Sequence, residues 1–161
     1  MAVIGIAEFL KKVSYQKHTK TKVEALKHND SKPLRIILQA AFDPAVKFAL
    51  PAGAPPYTPN KLVDQENVLI REAEKIKYFL EGFYPNMKPA KREQLFIEFL
   101  ERLAPKDAEL LLAIKDKKLP FKGISIQHVI TALPGLIPNP GVKPFELKED
   151  ATEEVNEEPE A

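Results

Sequence analysis

The sequence predicts an all-α fold: a single compact domain of about seven helices over residues 1–140, followed by a disordered acidic tail over residues 141–161. Three observations carry that expectation. Apolar residues recur at three- and four-residue spacing along most of the chain, and no segment alternates as a half-buried strand would. Pro33, Pro89 and Pro105 each stand at the start of such a periodic segment, where the missing N–H costs nothing. From about residue 148 onward large apolar side chains almost vanish, so nothing there can offset the entropy of ordering.

The elements follow in order. Ile4, Ile6, Ala7, Phe9, Leu10 and Val13 give one wide apolar face, hence a first helix. A lysine-rich stretch leads to a short second helix around Val23–Leu26. His28, Asn29 and Asp30 interrupt the pattern, and either Asp30 or Ser31 suits the cap of a third helix, with Pro33 in its first turn and Leu34 to Phe42 buried. Asp43-Pro44 restarts the chain in a short segment through Val46, Phe48 and Leu50. Pro51 to Pro59 holds four prolines and a glycine in nine residues, which is a loop. Val68 to Phe83 reads as one helix, with Leu69, Ile70, Ala73, Ile76, Phe79 and Leu80 on one side. Pro89 opens the next, striped by Leu95, Phe96, Phe99, Leu100 and Leu103. Pro105 opens another, with Asp107 and Glu109 at its positive end, Leu110 to Ile114 in its core and Lys115 to Lys118 at its negative end. Ser125 caps a last short helix carrying Ile126, Val129, Ile130 and Leu133.

Composition excludes several chemistries. There is no cysteine, hence no disulfide, thiol nucleophile or thiolate-bound metal. His18, His28 and His128 lie at no metal-ligand spacing, and His128 reads as a surface or boundary residue. No glycine-rich phosphate loop or nucleophile elbow is present, and Glu72 and Glu74 read as a solvated helix face. The expectation is a non-enzyme without cofactor or metal. No apolar run approaches a membrane span, and the N-terminus is apolar first and basic second, the reverse of a signal peptide; a cytoplasmic protein is expected. The net charge of +1 conceals a body of +8 before Phe145 and a tail of −7 after it. A basic body can bind nucleic acid, and an ordinary solvated surface has the same composition.

The C-terminal part of the body carries a likeness. Phe121-Lys122-Gly123-Ile124-Ser125, then Val129, Ala132 and Leu133, then Pro134-Gly135-Leu136-Ile137-Pro138 resembles the end of the N-terminal DNA-binding domain of ATP-dependent DNA ligases, of the T-even bacteriophage type. Lys20 to Leu26, Asn29-Asp30, Leu34 to Phe42, Val68 to Phe83 and Phe96 to Leu100 resemble that domain in the same order, so the likeness runs over residues 4–140. The chain departs from those enzymes where they become catalytic. Leu147-Lys148-Glu149-Asp150-Ala151 only echoes the nucleophile motif Lys-x-Asp-Gly, and it lacks the glycine. The resemblance thus implies a ligase-type DNA-binding domain standing alone. Pro134 to Pro140 would be its former exit linker, kept because Leu136 and Ile137 pack on the helices.

The resemblance further implies sequence-independent binding of duplex DNA across the minor groove, mainly through phosphates, by a phage accessory protein in replication, repair or transcription in the host bacterial cytoplasm. Two stretches supply what phosphate binding needs. Lys115 to Ser125 has four lysines beyond its helix core, a glycine and a Ser-capped helix start; Lys117, Lys118, Lys122, Gly123 and Ser125 are the candidates there. Lys117 and Lys118 equally suit compensation of a helix dipole. Lys11 to Lys22 has five lysines, interleaved hydroxyls, one aromatic and no acid; Lys17, Lys20 and Lys22 are its candidates. Only four arginines are present, and lysine is the less specific phosphate ligand. The alternative is an adaptor or virion-associated protein that has lost DNA binding. It would engage a replication or transcription protein through the acidic tail, or a partner through the proline-rich loop Ala52 to Tyr57.

Overall fold

Leu110, Leu111 and Ile114 of one helix are fully buried, and so are the Asp107 and Lys115 side chains at its two ends. A helix covered on nearly all sides sits in the middle of the molecule, and the others are arranged about it. The computed structural model describes residues 4–62, 65–117, 119 and 121–138. The boundary expected at residue 140, the acidic tail, Lys148 and Lys118 lie outside the described residues.

Among the described residues seven α-helices and one 3-10 helix make up the all-α fold expected. In chain order they are α1 (Ile6–Ser14), α2 (Thr19–His28), α3 (Lys32–Phe42), α4 (Asn67–Glu72), the 3-10 helix Ala73–Phe79, α5 (Pro89–Arg102), α6 (Pro105–Lys115) and α7 (Ile126–Ala132). The central helix is α6, in contact with α1, α3 and α5; α2 packs chiefly on α7 and also on α1. Pro33, Pro89 and Pro105 do occupy first-turn positions. Ser31 rather than Asp30 caps α3, its hydroxyl accepting from the Leu34 N–H at 3.3 Å, while Asp30 takes the Arg35 guanidinium through two bonds of 2.6 and 2.7 Å.

The single helix expected from Val68 to Phe83 is corrected. It is α4 followed by a 3-10 helix that ends at Leu80, whose backbone is extended. Ala73, Ile76 and Phe79 recur every three residues, all are buried, and a 3-10 helix is the conformation that eclipses such positions. Its exit is held by a short antiparallel bridge between Leu80 and Phe48: the Ala49 N–H donates to Phe79 O and the Glu81 N–H to Lys47 O, both at 2.8 Å. Phe79 there meets Phe96 edge-on at 5.1 Å and Phe99 at 5.8 Å. Among the described residues this bridge is the sole strand-like pairing.

The loop after the bridge is pinned from below. Arg92, buried on α5, donates from Nε to Tyr78 O at 3.0 Å and from Nη2 to Tyr84 O at 2.8 Å. The proline-rich loop is exposed as expected, yet it is strapped down. Lys115 Nζ donates to Pro51 O, and the N–H groups of Gly53 and Thr58 reach Asp116 and Glu101. After α7, Ile137 is buried and Leu136 packs against the core. Among the described residues no helix is long and apolar enough to cross a membrane.

Candidate nucleic-acid interface

α1 ends on Lys11 and Lys12, with Tyr15 just beyond them. Leu10 and Val13 bury the opposite side of the helix, so these lysines are turned outward. A tight turn follows, with the Gln16 N–H on Val13 O at 3.0 Å. Lys17 stands exposed in that turn. α2 then places Val23 and Leu26 in the core and Lys20 in solvent.

The second stretch arrives from about a hundred residues away. Phe121 to Gly123 form a turn closed by the Ile124 N–H on Phe121 O at 3.2 Å, with Ile124 buried as its anchor. Gly123 lies so close to α1 that a Cβ on it would stand 2.2 Å from the Ser14 carbonyl oxygen. Only glycine permits that approach. Lys22 closes the junction from α2, its Nζ donating to Gly123 O at 2.6 Å. The Phe121–Gly123 turn is thereby joined to the end of α1 and to α2.

Ser125 caps α7 reciprocally. Its N–H donates to His128 Nδ1 at 3.0 Å, and its hydroxyl lies 3.0 Å from the same nitrogen. His128 is therefore not the surface or boundary residue expected; it is 7% exposed. Burial first, and the Lys22 ammonium second, pull its pKa below the usual imidazole value. A neutral ring with Nδ1 free to accept is what the cap requires.

The eight expected site residues thus divide. Lys17, Lys20 and Lys122 are exposed and, among the described residues, have no ion pair. Lys22 spends its ammonium on the Gly123 carbonyl. Lys117 adopts a left-handed backbone (φ 57°) and donates to Ala40 O at 2.5 Å and Asp43 O at 3.1 Å, tying off the end of α3. Burial lowers its pKa and the Asp43 carboxylate opposes that. Gly123 and Ser125 shape the junction, and Lys118 lies outside the described residues. Lys11 joins the face although it stood outside the candidate set. The signal was present: Lys11 and Tyr15 are one helical turn apart. Lys12 is partly balanced by Glu8 at 3.6 Å, an exposed pair.

Behind this face, Asp107 of α6 reaches the start of α1, where its Oδ1 accepts from the Ala7 N–H at 3.0 Å. The residue is 1% exposed and, among the described residues, its Oδ2 has no hydrogen-bond partner. Burial pushes its pKa up to about 6, against the Ala7 bond and with help from Glu66 and Glu8. Asp107 does stand in the first turn of its own helix, as expected, and its carboxylate also fastens α1 to α6.

The chain belongs to the family of unknown function DUF6433, whose model matches residues 9–120. No curated protein matches it. The turn from Phe121 to Ser125 lies just beyond the matched residues.

Proposed function

For this member of that family we propose a non-catalytic, sequence-independent duplex-DNA-binding role, with the phosphates held by the face on which Lys11 to Lys22 meets Phe121 to Ser125. The observation that supports it is the junction itself. Lys22 bonds to Gly123, and Gly123 lies against Ser14, so Lys11 and Lys122 line one cleft, with Lys17 exposed in the adjoining turn. Cations without carboxylate partners release counterions when they meet phosphate, and they carry no base-edge readout. The resemblance to phage ligase DNA-binding domains supports an accessory role in phage replication, repair or transcription. The tail of −7 weakens the binding by competing with DNA for the same body.

The test is a salt titration with an arbitrary blunt duplex. Neutralising about four to six phosphates gives a slope of log K against log salt near −4 to −5. Changing Lys11, Lys20 and Lys122 together to Ala flattens it by about two to three units, whereas changing Arg71, Lys75 and Lys77 does so by less than one. Truncation after Pro144 tightens binding at low salt. The reading fails if the truncated protein binds no duplex, or if both triple variants behave alike. A protein-binding adaptor is the second reading, favoured by Phe83 and Tyr84, whose side chains stand 48% and 42% exposed on one loop.

A further inference from the structure

We propose that the cleft between the end of α1 and the Phe121–Gly123 turn receives an unpaired nucleobase stacked on Tyr15. The protein then prefers a duplex interrupted by a single-stranded stretch to an unbroken one. This rests on the DNA-binding reading above and adds a substrate structure to it.

Tyr15 is 73% exposed, more than any other large apolar or aromatic side chain described as exposed. A ring in water gains nothing for the fold, and here the backbone beneath it is firmly set. Tyr15 is the C-terminal cap of α1, in helical conformation, with its N–H on Lys12 O at 3.3 Å. Among the described residues its side chain stacks on no other ring, whereas Tyr78 and Tyr84 lie against each other at 4.7 Å. Beside Tyr15 opens a cleft of about 360 Å³ lined by Lys11, Ser14, Phe121, Lys122 and Gly123. A larger cleft of about 690 Å³ along α1 and α6 shares Lys11, Tyr15 and Phe121 with it but also carries Glu8, Glu66, Asp107 and Glu109, so the end that suits an anion is the smaller cleft, which has no acid in its lining.

The chemistry of this place is specific in one respect. It offers two aromatic rings, Tyr15 and Phe121, in one cleft with a lysine from each segment, Lys11 and Lys122. That is the combination used for single strands: a π-face for the base and cations for the phosphates on either side. In an intact duplex both faces of every internal base are covered by neighbours, so Tyr15 has nothing to stack on. An unpaired base has a free face. Every base has one, so the preference is for strand structure and not for sequence.

The experiment uses the full chain and three fluorescent DNAs at one salt concentration: a blunt duplex, the same duplex with a short single-stranded gap, and that gap built of abasic residues. The gapped duplex is expected to bind about 5- to 100-fold tighter than the blunt one, the range given by stacking of one base. The abasic gap is expected to bind like the blunt duplex, because it keeps the phosphates and loses the π-faces. Tyr15→Ala removes the preference for the gap, so that gapped and blunt duplexes bind alike; Tyr15→Phe keeps it, since the ring and not the hydroxyl is used. A 2-aminopurine in the gap is quenched by wild type and by Tyr15→Phe but not by Tyr15→Ala. Equal affinity for blunt and gapped DNA, or a gain as large for the abasic gap, overturns the stacking site and leaves the duplex reading standing. Binding to gapped DNA alone, lost in Tyr15→Ala, supports the stacking site and overturns the duplex reading. Binding to none of the three overturns both.

Discussion

Residues 11–22 and residues 71–77 are both rich in cations, and they use them differently. The first stretch has five lysines and no carboxylate. The second has Arg71, Lys75 and Lys77 set among Glu72 and Glu74. Glu72 takes Lys75 at 3.0 Å and Arg102 at 2.5 Å, and Glu74 takes Lys32 from α3. Such exposed pairs add little to stability, but they leave that surface locally balanced. Along 11–22 the one ion pair among the described residues is Lys12 with Glu8, so most of these lysines stay open to an outside anion. Lysine content alone is therefore a poor guide to an anion-binding face; the local supply of carboxylates decides.

The comparison can be broken from either side. The largest effect is expected outside both stretches, with no consequence for DNA. Arg92→Ala leaves Tyr78 O and Tyr84 O without their donor and empties a buried site, costing about 3–4 kcal/mol in urea unfolding. The salt slope of duplex binding should not move. Next comes Gly123→Ala, which sets a methyl group against the Ser14 carbonyl. It should cost about 2–3 kcal/mol and, unlike Arg92→Ala, lower DNA affinity as well, because the two lysine stretches are pushed apart. A variant that unfolds early yet binds with the wild-type slope would show that the junction is not needed for binding.

Lys117→Met sharpens the contrast among lysines. It removes the donor to Ala40 O and Asp43 O, so about 1–2 kcal/mol of stability is lost while the salt slope is unchanged. A flatter slope would return Lys117 to the binding face.

The smallest effect concerns Asp107. Its folded pKa of about 6 lies above the unfolded value of 3.8. Between those values the native state holds a proton that the unfolded chain lacks, so this group makes the protein more stable as pH falls from 7 to 5, by about 1 kcal/mol. Asp107→Asn keeps an acceptor for the Ala7 N–H and cannot titrate. Its stability should therefore lose that rise on acidification, read as the difference in urea midpoint between pH 7 and pH 5. An unchanged rise in the variant would assign it to another group.

What was legible in the sequence is local. The starts at Pro33, Pro89, Pro105 and Ser125 are written in single residues whose backbone or hydroxyl chemistry acts within one turn. The break after Glu72 was hidden because apolar spacings of three and four overlap in a short segment. The bridge between Phe48 and Leu80 that ends the 3-10 helix joins parts of the chain more than thirty residues apart. Asp107 is the sharper case: an acid in a helix's first turn satisfies a local rule, and its actual partner is a hundred residues away. For the candidate face, composition identified both lysine stretches. It could not separate Lys17, Lys20 and Lys122 from Lys22 and Lys117, because the carbonyls that occupy the latter two belong to Gly123, Ala40 and Asp43.

The two long ties, Asp107 to Ala7 across 100 residues and Lys22 to Gly123 across 101, also set a clock. The N-terminal helices leave the ribosome first, with their lysines in place and no fixed arrangement to hold them. At about 5–20 residues per second, roughly 5–20 s pass before the residues that complete the junction are made. During that interval the nascent chain is a basic peptide and not yet a binding face. On the proposed reading, the face is complete only once the Phe121–Ser125 turn has docked on α1 and α2.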